Sequence, residues 1–373
     1  MMEVLLKISL VILLVYILIQ ALNIFSLLYV DNDQSDKIFS DEELPSISIL
    51  IAARNEEQTI IRCLKSIAEL DYPSNKIQVL VGNDDSEDNT KKLIEGFIKK
   101  HQNFEMLTIT NTIGKARGKA NVLAQLAHQA TGELFLITDA DISVGKKWAR
   151  EIVSFFTHEK LGIVSGITIV EDKGMFGRMQ EIDWMYFMGL LKSSANYGLN
   201  CTAVGNNMAI RKVAYWDVGG YENIDFSVTE DFKLYKEVRI RGWQTKNILN
   251  ENIRNRSAAI TTFKQLMHQR KRWLIGAREL PFYWWLLFSV FGAFAPAIII
   301  VFLFSVKLGL IFYFIKLALQ TCSILILQNK LNVRKDLDYL LTYELYSIFI
   351  SLSTIFFFLF RGKLEWKNRS YNA

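Results

Sequence analysis

Two aspartates that follow a short apolar run have the residue type and spacing of a candidate metal-binding pair. Leu134–Ile137 has the length and composition of a strand buried on both faces, and Asp139 and Asp141 follow it closely. In extended backbone, a separation of two residues points both side chains to the same side. A hard cation such as Mg²⁺ or Mn²⁺, bound together with phosphates, would remove the repulsion between them. The alternative is a solvated turn that happens to contain two aspartates.

The elements that must position this pair alternate between strands and helices. Strands are predicted at Ile47–Ala52, Ile77–Val81, Phe104–Thr110, Leu134–Thr138 and Gly162–Val170. Helices are predicted at Ile60–Ile67, Thr90–Lys100, Ala120–Gln129 and Phe176–Ser193, and another one begins at Glu230, where Thr229 is suited to capping it. This order is typical of a mostly parallel α/β sheet, and its polar residues follow strand ends, where such sheets bind nucleotides. The sequence contains neither a Gly-x-Gly-x-x-Gly fingerprint nor a phosphate loop, which disfavours dinucleotide enzymes and P-loop NTPases.

Apolar residues, which make up 51% of the 373 residues, are concentrated in three blocks. Val4–Val30 is long enough to cross a bilayer, Phe282–Leu327 is about twice that length, and Asp338–Phe360 is the third block. The first block is too long for a signal peptide, and no small-residue cleavage site follows it. The third block has basic residues on both flanks, so its orientation, including a re-entrant path, stays open.

Charge and cysteine content restrict the class of protein further. Basic residues cluster just before the second apolar block, which predicts that the middle of the chain faces the cytoplasm: Lys264, Arg270, Lys271, Arg272 and Arg278. The net charge of +5 derives largely from this cluster, and no basic stripe with interleaved aromatics predicts nucleic-acid binding. The three cysteines have no paired spacing, which indicates reduced thiols rather than disulfides or a zinc site.

Five short motifs stand in a fixed order along the chain. They are Asn55-Glu56, Asn83-Asp84-Asp85-Ser86, Asp139-Ala140-Asp141, Thr229-Glu230-Asp231 and Gln269-x-x-Arg272-Trp273. This set, between about Pro45 and Trp273, resembles the membrane-embedded branch of family 2 glycosyltransferases, which includes cellulose and hyaluronan synthases and ceramide glucosyltransferase. The resemblance implies a GT-A fold, that is, a Rossmann-like α/β domain with a mixed, mostly parallel sheet. That domain would be cytosolic, with transmembrane helices on its N- and C-terminal sides.

We therefore predict five segments, one of which contains an interfacial helix. They are a transmembrane helix over residues 1–30, a linker over 31–45, a GT-A glycosyltransferase domain over 46–280 with an interfacial helix near 261–280, transmembrane helices over 281–361 and a basic tail over 362–373.

The resemblance implies that five residues bind the donor and its metal ion. Glu56 and Asp84 would contact the uracil and ribose of a UDP-sugar, and Lys119 would lie near the nucleotide. Asp139 and Asp141 match the family's Asp-x-Asp motif, with Asp141 as the more direct ligand of Mg²⁺ or Mn²⁺.

The resemblance places the remaining roles later in the chain. Glu230 and Asp231 would be catalytic, with Asp231 as the base, while Gln269 and Arg272 would hold the pyrophosphate and Trp273 would pack on the acceptor. This set suits displacement at an anomeric carbon, because the leaving diphosphate needs positive charge and the acceptor hydroxyl must lose a proton. A single base and no second nucleophile predict inversion at that carbon.

Several motifs also have simpler interpretations. Glu230 and Asp231 could be first-turn acids that favour a helix dipole, Arg270–Trp273 an interfacial anchor, and Asn83–Asp88 an ordinary turn. Lys119 could be a solvated lysine. The family's usual Asp-Asp-Gly-Ser reads Asn83-Asp84-Asp85-Ser86 here, so the contact made by Asn83 stays open.

We predict an inverting glycosyltransferase that moves a sugar from a UDP-linked nucleotide sugar to the hydroxyl of a membrane lipid. The basic, aromatic Trp366–Tyr371 also resembles the tail of lipid-modifying members. A processive polysaccharide synthase is the alternative, since it carries the same Gln-x-x-Arg-Trp motif. A nucleotidyltransferase would need a glycine-rich loop where Ala52–Asn55 stands, and an inactive scaffold would not need all these carboxylates. The expected location is the bacterial inner membrane with the catalytic domain in the cytoplasm, and the oligomeric state stays open.

Overall fold

The computed structural model of the chain describes residues 2–30, 33, 35, 37–172, 174–335, 337–359, 364–366 and 369–371, the last two for the backbone alone. Parts of the predicted linker and half of the predicted basic tail therefore lie outside the described residues. The chain divides into two compact units. The α/β unit comprises residues 33–181, 202–276 and 353–373, and the helical unit comprises residues 1–32, 182–201 and 277–352.

The strands and helices follow each other in the order that the sequence predicts for an α/β protein. The strands are β1 (Ile47–Ala53), β2 (Ile77–Asn83), β3 (Phe104–Thr108), β4 (Leu134–Asp139), β5 (Ile142–Ser143), β6 (Leu161–Ser165), β7 (Thr168–Glu171), β8 (Asn207–Arg211), β9 (Gln244–Asn247), β10 (Asn255–Ala258), β11 (Leu364–Trp366) and β12 (Arg369–Tyr371). The helices are α1 (Met2–Phe25), α2 (Ile60–Ala68), α3 (Thr90–Ile98), α4 (Lys119–Gln129), α5 (Trp148–Val153), α6 (Met175–Asn196), α7 (Lys212–Asp217), α8 (Gly220–Asn223), α9 (Glu230–Ile240), α10 (Phe263–Ala277), α11 (Phe282–Phe304), α12 (Val306–Lys330) and α13 (Leu337–Leu359). A π-helical turn, Ser26–Val30, continues α1.

The main sheet of the α/β unit is mixed and mostly parallel. Within the described residues it has seven strands in the order β3-β2-β1-β4-β8-β6-β9. The strands β3, β2, β1 and β4 run parallel, β8 is antiparallel to both of its neighbours, and β9 is parallel to β6. A smaller sheet has the order β5-β10-β7. This arrangement confirms the predicted fold class.

The sheet is buried on both faces because alternate residues of its central strands enter two different cores. In β1, Ile49 and Ile51 pack with Leu64 of α2, whereas Leu50 packs on the other face with Leu126 of α4. Continuous apolar runs such as β1 and β4 are the sequence pattern that such a strand needs.

The single strand predicted over Gly162–Val170 is wrong, because β6 and β7 belong to different sheets. The chain changes direction at Gly166, whose N–H donates to the carbonyl of Asn207 at 2.8 Å. A Cβ at Gly166 would lie 2.4 Å from Ile253 Cγ2, so only glycine allows this approach.

In the helical unit the apolar blocks form long helices. Among the described residues, four helices are long and apolar enough to cross a membrane: Met2–Val30, Phe282–Phe304, Val306–Lys330 and Leu337–Leu359. The second predicted block is two helices that meet at Ser305, whose hydroxyl accepts from the N–H of Leu308 at 3.3 Å and so caps α12. Buried side chains of α1, α11 and α12 pack together, including Leu13, Val301 and Phe312.

Candidate active site

The parallel strands bring three polar loops to one edge of the sheet. Ala53 at the end of β1 lies opposite Asn83 at the end of β2, and Ala52 lies opposite Asp139 at the end of β4. Because parallel sheets bind ligands at their carboxyl ends, this edge is the candidate site.

The loops after β1 and β2 are bound to each other. Arg54 Nη1 donates to the carbonyl of Asp84 at 2.7 Å. Asn55 donates from its N–H to Ser86 Oγ at 3.1 Å and accepts from the N–H of Glu87 at 2.9 Å. Asn55 is in the left-handed region with φ 53°, a conformation that asparagine tolerates better than most residues.

Glu56 lies inside this pair of loops rather than in solvent. Its side chain is buried, its N–H donates to Thr90 Oγ1 at 2.7 Å, and its Oε2 accepts from Thr59 Oγ1 at 2.6 Å. The structure therefore brings Glu56 and Asp84 to neighbouring loops at the sheet edge, and their contacts with a nucleotide stay a prediction.

Lys119 joins the end of β4 to the start of α9. Its Nζ lies 2.6 Å from Asp139 Oδ1 and 2.8 Å from Glu230 Oε1, and its side chain is 27% exposed. Burial lowers the pKa of Lys119, but the two carboxylates and Asp231 raise that pKa by more, so the ammonium stays charged. Lys119 is thus an ion-paired lysine and not a solvated one.

The Asp-x-Asp pair lies on both sides of a buried alanine. The strand β4 ends at Asp139 and Asp141 lies in the following turn, so strand periodicity does not align the pair. Ala140 is fully buried between the two partly exposed aspartates. Arg62 Nη2 holds the turn by donating to the carbonyl of Asp141 at 2.6 Å. Burial raises the pKa of the Cys63 thiol, and the charges of Asp141 and Asp139 raise it further.

The donor set at this edge fits a cation that shares its ligands with phosphate. No group of three or more His, Cys, Asp or Glu side chains in the part of the chain that the structure describes could hold a metal ion unaided. Magnesium is commonly bound by one or two carboxylates, with substrate phosphates completing its shell. Asp139 and Asp141 supply two carboxylates of this kind.

Asp231 is held in the first turn of α9 by two backbone donors. The N–H of Gly205 donates to its Oδ2 at 2.9 Å, and the N–H of Phe232 donates to its Oδ1 at 2.8 Å. Thr229 precedes the helix as predicted, but its side chain does not cap it and instead lies 3.2 Å from Ser227 Oγ. Both donors fix the carboxylate in one orientation, as a positioned base requires.

The pKa of Asp231 lies above its ordinary value. Removal from water is the largest cause, and the adjacent Glu230 adds to it, while Lys119 and two N–H donors oppose it. Tyr221 of α8 faces the same carboxylates and stays neutral, because burial and then Glu230 raise its pKa.

One face of α10 is turned toward the start of α9. A Cβ at Gly276 would lie only 2.4 Å from Thr229 Oγ1, so the two helices meet there. Gln269, Arg272 and Trp273 precede Gly276 by one or two turns and share its face. The Arg270 guanidinium lies 4.8 Å from the centre of the Trp273 ring. The structure thus brings the end of α10 next to Thr229, two residues before Asp231, and the roles of Gln269, Arg272 and Trp273 stay predictions.

Sequence reasoning gave no role to Gly205, Arg62 or Asn207. Gly205 lies against Asp231, Arg62 fixes the turn at Asp141, and Asn207 is fully buried and accepts from Trp148 Nε1 at 2.8 Å. Each contact joins residues far apart in the sequence, so no local pattern predicts it.

Comparison with solved structures shows the fold. The chain resembles the mannosyltransferase PcManGT from Pyrobaculum calidifontis, solved in complex with GDP-Man and Mn²⁺, with a TM-score of 0.60 and 16% identity over 89% of this chain and 100% of that one. This likeness shows the fold alone. The chain belongs to glycosyl transferase family 21, whose family model matches residues 8–373. This family and the four apolar helices agree with the class that the sequence predicts, a membrane-associated glycosyltransferase.

Two curated relatives with similar sequences are named as synthases. A beta-monoglucosyldiacylglycerol synthase from Nostoc sp. is 27% identical over 247 residues, covering 65% of this chain and 51% of that protein. A poly-beta-1,6-N-acetyl-D-glucosamine synthase from Staphylococcus aureus is 31% identical over 243 residues, covering 64% of this chain and 56% of that protein. The chain spans about half the length of the curated relatives it matches.

Adding one methyl group at Gly205 should reduce activity while leaving the fold intact. A Cβ there would lie 2.5 Å from Asp231 Cβ and 2.6 Å from its Oδ2, so Gly205→Ala must displace the carboxylate. A misplacement of about 1 Å can cost about 10²-fold in rate. Gly96→Ala, which adds a methyl group in open space on α3, is the matched control. Equal turnover of the two variants in a transfer assay, at matched melting temperatures, would contradict this prediction.

The rate of transfer should fall as the pH drops through a raised pKa of Asp231. A base acts only when deprotonated, so the acid limb of kcat/KM should lie above the ordinary aspartate value of 3.8. Lys119→Met removes a positive charge that favours the deprotonated form of Asp231, so the acid limb should move to higher pH. The control is Lys115→Met, since Lys115 lies in the loop before α4 and forms an exposed ion pair with Asp225 at 2.8 Å. An acid limb at an unchanged pH in Lys119→Met would count against an electrostatic effect of Lys119 on Asp231.

Proposed function

We propose that this protein is an inverting glycosyltransferase that moves a sugar from a UDP-sugar to a hydroxyl group of a membrane lipid. The observation that carries the proposal is the bridge made by Lys119, which joins Asp139 at the predicted metal site to Glu230 beside the predicted base. Carboxylates from β4 and α9 therefore lie close together at the sheet edge, which supports one site for donor binding and proton removal.

The donor is proposed from two sources. The solved mannosyltransferase holds GDP-Man and Mn²⁺, which supports a nucleotide sugar and a divalent cation. The choice of UDP depends on the resemblance at Glu56 and Asp84. Asp139 and Asp141 would hold Mg²⁺ or Mn²⁺, which when bound supplies positive charge to the leaving diphosphate.

Different residues of the chain would then have separate roles in the reaction. Asp231 accepts the proton of the acceptor hydroxyl, whose oxygen forms the new bond to the anomeric carbon. The bond from that carbon to the diphosphate breaks, and its electron pair leaves with the diphosphate, which Gln269 and Arg272 hold. Trp273 packs on the acceptor. Attack from the face opposite the leaving group inverts the anomeric carbon.

A lipid acceptor is supported by the relative named beta-monoglucosyldiacylglycerol synthase and by the four apolar helices. The second candidate, a processive polysaccharide synthase, is supported by the match to the poly-beta-1,6-N-acetyl-D-glucosamine synthase. We further propose that the chain lies in a bacterial inner membrane with the α/β unit in the cytoplasm, because basic residues cluster ahead of α11.

Expression of the full chain in a heterologous bacterial membrane tests the proposal. Mass spectrometry of the extracted lipids, after supply of labelled UDP-sugars, should find one hexose on a lipid that is absent from membranes containing Asp231→Asn. A long polymer would instead establish the second candidate. Neither product with any UDP-sugar would overturn the proposed function.

Exhaustive chelation should abolish transfer, and added Mn²⁺ or Mg²⁺ should restore it. The physical reason is that the leaving diphosphate develops negative charge, which a cation held by Asp139 and Asp141 would stabilise. The assay compares labelled lipid before chelation, after it and after metal return. Full activity in the chelated enzyme would remove the cation from the mechanism without refuting sugar transfer.

A further inference from the structure

Within the helical unit, a cluster of polar side chains is buried among helices that are otherwise apolar. The polar membrane cluster, as we name it, is drawn from α1, α6, α12 and α13, and its members are Tyr16, Gln20, Asn23, Tyr186, Lys316, Gln320, Ser323 and Glu344. Ionisable side chains inside membrane helices are costly, and when present they usually mark a functional site.

Contacts join these side chains into one group. Gln20 Nε2 donates to Tyr186 Oη at 2.5 Å. Glu344 pairs with Lys316 and accepts from Gln320 Nε2 at 3.2 Å. The ring of Phe294 links the two halves, since it lies 4.6 Å from the Tyr16 ring and 5.9 Å from Lys316 Nζ.

Two acceptors in the cluster have no hydrogen-bond donor among the described residues. They are Gln20 Oε1 and Asn23 Oδ1, on side chains that are 0% and 2% exposed. Both amide nitrogens are engaged, Gln20 with Tyr186 and Asn23 with Ser323 Oγ at 3.2 Å. A network that only locks helices together would satisfy both ends of its amides. These residues lie on one face of α1, about one turn apart.

The charge of the cluster defines the kind of ligand. Lys316 and Glu344 neutralise each other, so no positive charge is left over for a phosphate group. Two neighbouring acceptors without donors fit a neutral molecule with hydroxyl groups, and the apolar helices around them fit acyl chains.

We propose that the polar membrane cluster binds the hydroxyl-bearing end of a neutral acylglycerol, with Gln20 and Asn23 accepting hydrogen bonds from its hydroxyl groups. Binding here needs neither nucleotide sugar nor metal ion, so it can be tested separately from sugar transfer. If no sugar is transferred in the lipid assay, the proposed lipid site is not contradicted. If no lipid binds to the cluster, the proposed sugar transfer is not contradicted.

Native mass spectrometry of the purified full chain in detergent tests the proposal. The probes are a monoacylglycerol, a diacylglycerol and a triacylglycerol with the same acyl chains, and the last has no hydroxyl. Wild type should bind the first two at least about tenfold more tightly than the third, as loss of a buried hydrogen bond implies. Equal binding of all three would overturn the proposal.

Variants locate the site. Gln20→Met and Asn23→Leu should each lose most of the preference for hydroxylated lipid, whereas Ser9→Ala should keep it. Ser9 is a matched control because it is a polar residue buried on the same helix, about three turns away. A preference that persists in both variants would mean that these acceptors hold water only, which would overturn the proposal.

Photo-crosslinking of wild-type protein keeps the test valid if a variant fails to fold. A diacylglycerol with a photoreactive group near its hydroxyl should label peptides from residues 16–23, and excess monoacylglycerol should suppress the labelling. Labelling confined to peptides that contain none of the cluster residues would refute the site.

Discussion

Asp231→Asn is expected to lower sugar transfer about 10²–10⁴-fold while nucleotide binding stays nearly unchanged. Asparagine has almost the same shape, and its carbonyl oxygen can still accept from the Gly205 N–H that now holds Oδ2 at 2.9 Å. What it lacks is the ability to take up the acceptor's proton. The loss should therefore appear in kcat, measured as labelled lipid formed per minute, and not in the dissociation constant for UDP, measured by titration calorimetry.

A second aspartate supplies the control for this substitution. Asp217 lies on α7 and accepts from Trp243 Nε1 at 2.9 Å, away from the sheet edge. Asp217→Asn removes the same charge and should change turnover little. If Asp231→Asn retains wild-type turnover, Asp231 has no place in the mechanism. A parallel loss of UDP binding would indicate that the site had collapsed.

Arg272→Leu is expected to reduce kcat by about 10²–10³-fold, the loss typical when one group that stabilises developing negative charge is removed. The charge on the diphosphate grows as the bond to the sugar breaks, so the effect should fall on kcat more than on KM. Arg272→Lys should recover part of the rate, because lysine restores the charge but not the planar fork that pairs with two phosphate oxygens.

The same helix region provides a matched control for Arg272. Arg278 follows α10 and is exposed, so Arg278→Leu removes an equal charge from the interfacial region without touching the face that meets Thr229. Steady-state rates at saturating UDP-sugar distinguish the variants. Equal losses in Arg272→Leu and Arg278→Leu would mean that the basic residues act only as membrane anchors.

The order of motifs along the chain was sufficient to predict the class of protein. Some of the residues predicted for the site lie together in the structure. Lys119, Asp139 and Glu230 are joined by ion pairs, and Asp231 follows Glu230 directly. Glu56 and Asp84 lie in neighbouring loops of the same sheet edge. The functions assigned to them stay predictions, because a resemblance supplies roles and the geometry supplies only proximity.

Most of the local elements were predictable from the order of the amino acids. Apolar runs such as β1 and β4 are buried on both faces whatever follows them, and an apolar block twice a bilayer's thickness must become two helices. Three further features became visible in the folded chain: Lys119 joins two carboxylates, Gly205 must lack a side chain beside Asp231, and β6 and β7 separate at Gly166. Periodicity reports which face of an element is buried, but it does not report which distant residue will lie against that face.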